Sequence, residues 1–215
     1  MSSRPPGTRL RKQPAERRAE ILDAAAQVAL TEGLECITLR RIGEMLDVRP
    51  GLVGHYFPAV EDLVAETFGA AAEAELSTLI PAGSDEPPTA RLARFLASAL
   101  SEQFHDVNRL WLNARHLARY RPTLRRRVIL QGDHWRDRLT ALIEAGARAG
   151  EFRTAQPEVV ALKILAVIDG LSADLNADPK LPAAVLEMAV EVAERELELS
   201  PGTLADWAAP GALEA

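Results

Sequence analysis

The sequence predicts an all-α protein in two parts, and three observations carry that reading. Alanine and leucine, both strong helix formers, dominate the chain while aromatic residues reach only 5%. Apolar residues recur at three- and four-residue spacing over long stretches. Proline stands repeatedly where such a stretch opens, and glycine where one closes. The 215 residues allow one or two compact domains, and 47% apolar with 26% charged residues is ordinary globular composition.

Residues 1–13 mix Ser, Pro, Gly and basic side chains without periodicity and read as a mobile basic arm. A first helix is expected from Pro14 to Glu32, because Ile21, Leu22, Ala25, Val28 and Ala29 share one face. Gly33 follows in the position of a left-handed C-cap. Thr38 is suited to N-cap a short helix from Leu39 to Leu46. A second short helix should open at Pro50 and run to Phe57, where Pro58 stops it. Two short helices joined by a tight turn behind a longer supporting helix make a helix-turn-helix domain over residues 14–59.

The rest reads as a larger helical domain over residues 60–199. Its first helix, Val60–Leu79, runs without a break from the end of the helix-turn-helix. Three prolines and a glycine interrupt the chain at Ile80–Pro88. Helices are then expected at Thr89–Phe104, Val107–Arg119, Pro122–Ala149, Pro157–Asn176 and Pro182–Leu199. Residues 200–215 read as a weakly ordered tail.

The net charge of −6 hides an asymmetry. Residues 1–20 carry six basic residues against Glu16 and Glu20, whereas residues 151–215 carry four basic residues against twelve acidic ones. One end can therefore meet a polyanion that the other end repels. A single cysteine, Cys36, excludes an intrachain disulfide and a cysteine-rich zinc site, and is expected to pack between the first two helices. The Arg- and Pro-rich N-terminus has no apolar stretch behind it, and no segment approaches the ~20 apolar residues of a membrane span. A cytoplasmic protein without membrane association is the expectation.

A recognition helix sets its N-terminal residues against base edges while flanking groups grip phosphates. Within Thr38–Tyr56, Arg49 can reach a guanine edge or a phosphate, and His55 and Tyr56 can donate to phosphates. Gly51 and Gly54 let the backbone approach closely beside Pro50 and Leu52. Thr38 can contact the DNA backbone through its hydroxyl and nearby N–H groups, and Arg40 adds charge. Arg40 and Arg41 could equally be a solvated helix face.

Thr38-Leu39-Arg40-Arg41-Ile42-Gly43, then Val48–Pro58, then Glu61-Asp62-Leu63, resemble the DNA-binding domain of TetR-family regulators. The ending His55-Tyr56-Phe57 resembles the branch that contains choline-responsive betaine-pathway repressors. Residues Trp111–Leu171 are similar to that branch's regulatory domain, so the likeness spans roughly Arg17–Leu199. It implies a homodimer on a pseudo-palindromic operator, released by a small-molecule effector, with no cofactor, catalytic residue or metal. Two departures are visible. Val60 stands where many relatives carry a lysine, which removes one phosphate contact, and Pro50 and Gly54 replace bulkier polar residues. Readout then leans on Arg49, the N-terminal arm and DNA shape.

Polar and aromatic residues around Trp111, Asn113, Arg115, His116, Tyr120, His134 and Trp135 are the candidates for the effector pocket. Each tryptophan could instead be plain core. Asp169, inside an apolar helix, is expected to pair with an arginine or cap a neighbouring helix. For the dimer surface the candidates are Val160, Ile164, Val167 and Leu171 on one helix and Leu186, Ala189, Val190, Ala193 and Leu197 on the next. Paired with symmetry mates, those two helices would form a four-helix interface.

Two rival readings differ in kind. An architectural DNA-binding dimer would keep the helix-turn-helix but need no effector. A helical-bundle metalloenzyme finds one Glu-x-x-His spacing at Glu102–His105 but no second copy, and a nucleophile elbow is absent.

Overall fold

The computed structural model describes residues 13–178 and 180–208, all of whose regular elements are helical. The expected basic arm, apart from Gln13, and residues 209–215 of the expected tail lie outside the described residues.

Helix α1 (Pro14–Thr31) starts with proline in its first turn, and the Glu16 carboxylate accepts the Gln13 N–H at 3.1 Å. Gly33 takes a φ of +106°, which ends the helix and turns the chain into a 3₁₀ turn at Leu34–Cys36. Helices α2 (Leu39–Met45) and α3 (Pro50–Tyr56) follow. Their inner residues Ile42, Val53 and Phe57 pack with Ile21, Ala25, Val28 and Leu34 into a core less than 5% exposed. Cys36 is half-buried, and its thiol donates to the Glu32 carbonyl at 3.4 Å.

Helix α4 (Val60–Leu79) leaves this head and becomes the first helix of a bundle. Leu63 and Val64 belong to its head end, and Phe68, Ala72, Leu76 and Leu79 continue the same apolar stripe. Helices α5 (Pro88–Ala99), α6 (His105–Leu117), α7 (Pro122–Ala149) and α8 (Pro157–Ala177) complete the main layers. The long α7 lies between α4 and α8, and α6 touches α1, α4, α7 and α8.

Three elements depart from the sequence expectation. The helix expected over Thr89–Phe104 stops at Ala99, and a 3₁₀ turn occupies Glu102–Phe104. Asn108 satisfies the freed end by donating to the Ala99 carbonyl at 3.1 Å. The helix expected over Pro182–Leu199 is two pieces, α9 (Ala183–Leu186) and α10 (Met188–Glu196), which abut at Glu187. The tail expected to be weakly ordered contains α11 (Thr203–Ala208), which packs on α5 and α10 and buries Leu204 to 1% exposure. Its first turn is held by the buried Glu194 carboxylate, which accepts the N–H groups of Gly202 at 3.0 Å and Leu204 at 2.8 Å. Glu194, on a helix segment whose Glu187, Glu191 and Glu198 are exposed, thus turns inward and serves as a cap for α11 from outside that helix.

The residues proposed for the dimer surface also change place. Val160, Ile164, Leu171, Ala189, Ala193 and Leu197 are all buried within the protomer, while Val167, Leu186 and Val190 are half-buried. Helix α8 is apolar nearly all round because α6, α7 and α10 cover three of its sides. Its uncovered side carries Val159, Leu162 and Ala166, with the first two 40% and 43% exposed.

Candidate functional site

Helices α2 and α3 cross at Gly43. A Cβ there would lie 2.9 Å from the Val48 carbonyl oxygen and 3.3 Å from the Pro50 nitrogen, so only glycine allows this approach. The turn closes with Val48 N–H donating to the Gly43 carbonyl at 2.9 Å, and Asp47 takes a φ of +51°. Thr38 caps α2 by accepting the Arg41 N–H at 3.0 Å. On α3, Val53 faces the core, which turns Gly51 and His55 to the opposite, exposed side. A Cβ on Gly51 would meet nothing within 4 Å, so this face is open.

The head's cations divide into two sets. Arg18 forms a bidentate pair with Glu66 on α4, both contacts at 2.5 Å, and its guanidinium lies 4.7 Å over the Phe57 ring. Arg41 grips Glu32 with its Nη2 at 2.5 Å, and that hydrogen bond holds the Glu32 carboxyl below its ordinary value. These two arginines fasten helices together. Arg40 is left exposed with only a 3.6 Å contact to Glu44, and Arg49 is exposed with no ion-pair partner among the described residues. Thr38, Arg40, Arg49, Pro50, Gly51 and His55 are exposed, and Leu52, Gly54 and Tyr56 are half-buried.

In the bundle, α4, α5, α6, α7 and α8 enclose a cavity of about 400 Å³. Of the seven residues proposed for a pocket, Trp111, Arg115 and Trp135 line it. Asn113 turns to the head instead, where its Oδ1 accepts the Leu34 N–H and its Nδ2 donates to Glu35, both at 2.9 Å. His116 and Tyr120 sit together on the outer end of α6, with ring centres 6.0 Å apart. His134 lies in a separate groove, 3.4 Å from Glu73.

Periodicity missed the cavity's central group. Glu75 is 7% exposed and accepts the Trp111 indole N–H at 2.7 Å. Burial pushes its carboxyl up to about 7, against the Trp111 hydrogen bond; Asp169 adds to the rise and Arg115 opposes it. The sequence did hold a signal, since Glu75 is the one carboxylate on the apolar stripe Phe68, Ala72, Leu76 and Leu79. Asp169 pairs with Arg115 at 2.8 Å, and the Arg115 guanidinium stacks 5.2 Å from the Trp111 ring. The Trp135 indole N–H and the Ser172 hydroxyl, both on the cavity wall, have no hydrogen-bond partner among the described residues. Among the described residues, no three His, Cys, Asp or Glu side chains gather as a metal site, and no helix is long and apolar enough to cross a membrane.

The helix-turn-helix head on a helical bundle places the molecule among the DNA-binding transcriptional regulators, not the enzymes. Residues 88–199 match the family model of the C-terminal domain of BetI-type transcriptional repressors. The chain belongs to the TetR family, with a regulatory domain of that type. The fold is shared with a TetR-family regulator from Rhodococcus sp. (TM-score 0.73, 19% identity, covering 85% of this chain and 99% of that one). It is shared equally with a TetR regulator from Haloarcula marismortui (0.71, 22%, 86% and 97%). A third is a transcriptional regulator from Saccharomonospora viridis in complex with choline (0.67, 21%, 83% and 94%). Among curated protein sequences, none matches the chain.

Proposed function

We propose that this regulator is a cytoplasmic homodimeric repressor that holds a pseudo-palindromic operator and releases it when a small organic cation enters the bundle cavity. The observation that carries the effector class is Glu75, a buried carboxylate held against Trp111 with no arginine or lysine among the described residues bonded to it. A cation entering beside it supplies the missing counter-charge, and the faces of Trp111 and Trp135 attract the same charge. Trp135 Nε1 and the Ser172 hydroxyl add donors for an oxygen on the ligand. The relative from Saccharomonospora viridis that was solved with choline is consistent with a ligand of this class.

Thr38, Arg40, Arg49, Pro50, Gly51, Leu52, Gly54, His55 and Tyr56 form the proposed DNA surface. The partner protomer covers the outer row of α8 and the neighbouring faces of α9 and α10, where Leu162, Val185, Leu186 and Met188 retain exposure. Two such heads reach successive major grooves at about 34–36 Å spacing. Helix α6 couples the two sites, because Trp111 and Arg115 face the cavity while Arg109 and Asn113 bond Leu30 and Leu34 of the head. Ligand and DNA then favour different members of one equilibrium.

The test is selection of bound sequences from a random duplex library, followed by titration of the complex with choline and with its uncharged carbon isostere. Recovery of an inverted repeat that choline releases and the isostere leaves bound is expected. Equal response to both compounds would sink the cation assignment, and recovery of no motif would sink the operator reading.

A further inference from the structure

Between Val107 and Gly132 the chain has no acidic residue, yet it carries seven arginines and His116. Four of the arginines are engaged. Arg109 bonds the Leu30 carbonyl, Arg115 pairs with Asp169, Arg121 lies 3.9 Å from Glu61, and Arg127 packs across Gly69. Arg119, on the turn between α6 and α7, and Arg125 and Arg126, in the opening turns of α7, are exposed, and no carboxylate among the described residues pairs with them. Tyr120, at the centre of this turn, is 70% exposed, with the Arg119 guanidinium and the His116 ring each 6.0 Å from its ring.

The turn lies beside the DNA-reading head. Thr123 and Arg126 form one wall of a groove whose other wall is Tyr56 and Pro58, at the exit of α3. Glu61, partnered by Arg121, is in the first turn of α4. Within the groove Asp62 is the one acid that opposes these cations, since Glu66 is bound to Arg18. Three guanidinium groups, donors only, stand beside an exposed phenol and imidazole that can also donate, in a protein whose overall charge is negative. Guanidinium forks match phosphate oxygens.

We infer that the α6–α7 turn is a second DNA contact of the regulatory domain. It grips backbone phosphates that flank the stretch read by α3, with Arg119, Arg125 and Arg126 as the binding residues and Tyr120 as an added donor. The inference rests on the DNA-binding reading of the head. It makes the regulatory domain part of the DNA interface, so a helix whose inner face lines the cavity also leads to a DNA-gripping end.

The experiment measures affinity against salt concentration for the full-length protein and for the triple variant Arg119→Gln, Arg125→Gln, Arg126→Gln. Two duplexes are used, one trimmed to the selected inverted repeat and one extended by a helical turn on each side. On the extended duplex, the slope of log affinity against log salt should fall by about 0.9 for each phosphate contact removed. On the trimmed duplex, the two proteins should bind alike. Circular dichroism and light scattering should show an unaltered fold and assembly, because all three side chains are exposed. A variant with the parent's slope and affinity on the extended duplex would overturn the inference. If the unaltered protein bound neither duplex, the regulator reading would fail, and this inference with it.

Discussion

The head and the bundle place their polar groups in opposite ways. In the head the charged side chains stay outside the core, where Arg18–Glu66 and Arg41–Glu32 fasten one helix to another over a wholly apolar centre. In the bundle the carboxylates of Glu75 and Glu194 are buried, and the cavity donors Trp135 and Ser172 lack partners among the described residues. Unpaired buried polar groups cost stability, whereas exposed ones cost almost none. The head therefore carries its function on a surface it can leave uncovered at no penalty. The bundle instead has an interior left incomplete, which suits the proposed effector.

That contrast can be broken at its most rigid point first. Gly43→Val forces a branched side chain against the Val48 carbonyl and should cost roughly 3 kcal/mol or more, because the turn backbone has nowhere to move. Thermal unfolding should show an early transition of the head, with DNA binding lost. A variant that still binds DNA as tightly as the parent would show that the crossing is looser than described.

The next largest effect tests the bundle's buried acid. In the unfolded chain Glu75 ionises near its ordinary 4.5, and in the folded chain near 7. Its contribution to stability is thus full below pH 4.5 and is lost as pH rises through 7, a change of roughly 3 kcal/mol. Glu75→Gln should remove that part of the pH dependence and leave the protein more stable than the parent at pH 8, while weakening cation binding. Denaturant titrations of both proteins across this window would show it, and parallel stability curves would refute it.

Smaller effects separate coupling from stability. Asn113→Ala leaves the Leu34 N–H without its acceptor and should cost about 1–2 kcal/mol. Its more telling readout is the ligand-induced drop in DNA affinity, which should shrink while ligand affinity holds. Leu162→Glu places a charge on the outer row of α8 and should give monomers by light scattering, with little change in protomer stability. A dimer that persisted would remove that row from the proposed interface. Arg18→Ala, at an exposed pair, should cost under about 1 kcal/mol. A larger loss would mean that its stacking on Phe57 matters more than the ion pair.

The sequence was most legible where local chemistry decides the outcome. Thr38 and Pro50 mark the helix-turn-helix by capping and a fixed φ, and each signal lies within a few residues of what it determines; the close approach at Gly43 emerged only from the fold. Prolines opened α7 and α8 where expected, and Gly150 closed α7 in the left-handed region. Legibility faded where one helix has several apolar sides. Ile164 and Ala193 look alike whether a neighbouring helix or a second subunit covers them, and the fold gave them to the protomer core. The pocket suffered the same limit. Trp111, Asn113 and His116 are close in sequence, but the helix sends them to the cavity, the head and solvent respectively. Glu75 entered the site from α4, distant in sequence from every aromatic residue that surrounds it.

The buried carboxylate under α11 has a practical corollary for anyone who cuts this chain. The family match ends at Leu199, yet the folding unit does not, because the buried Glu194 carboxylate accepts N–H groups that lie beyond that boundary. A fragment trimmed at residue 199 would strip the lid from α5 and strand a negative charge in an apolar seam. Homology marks where relatives stop resembling one another; the packing of this protein runs on past that point, through the buried Leu204 to Trp207.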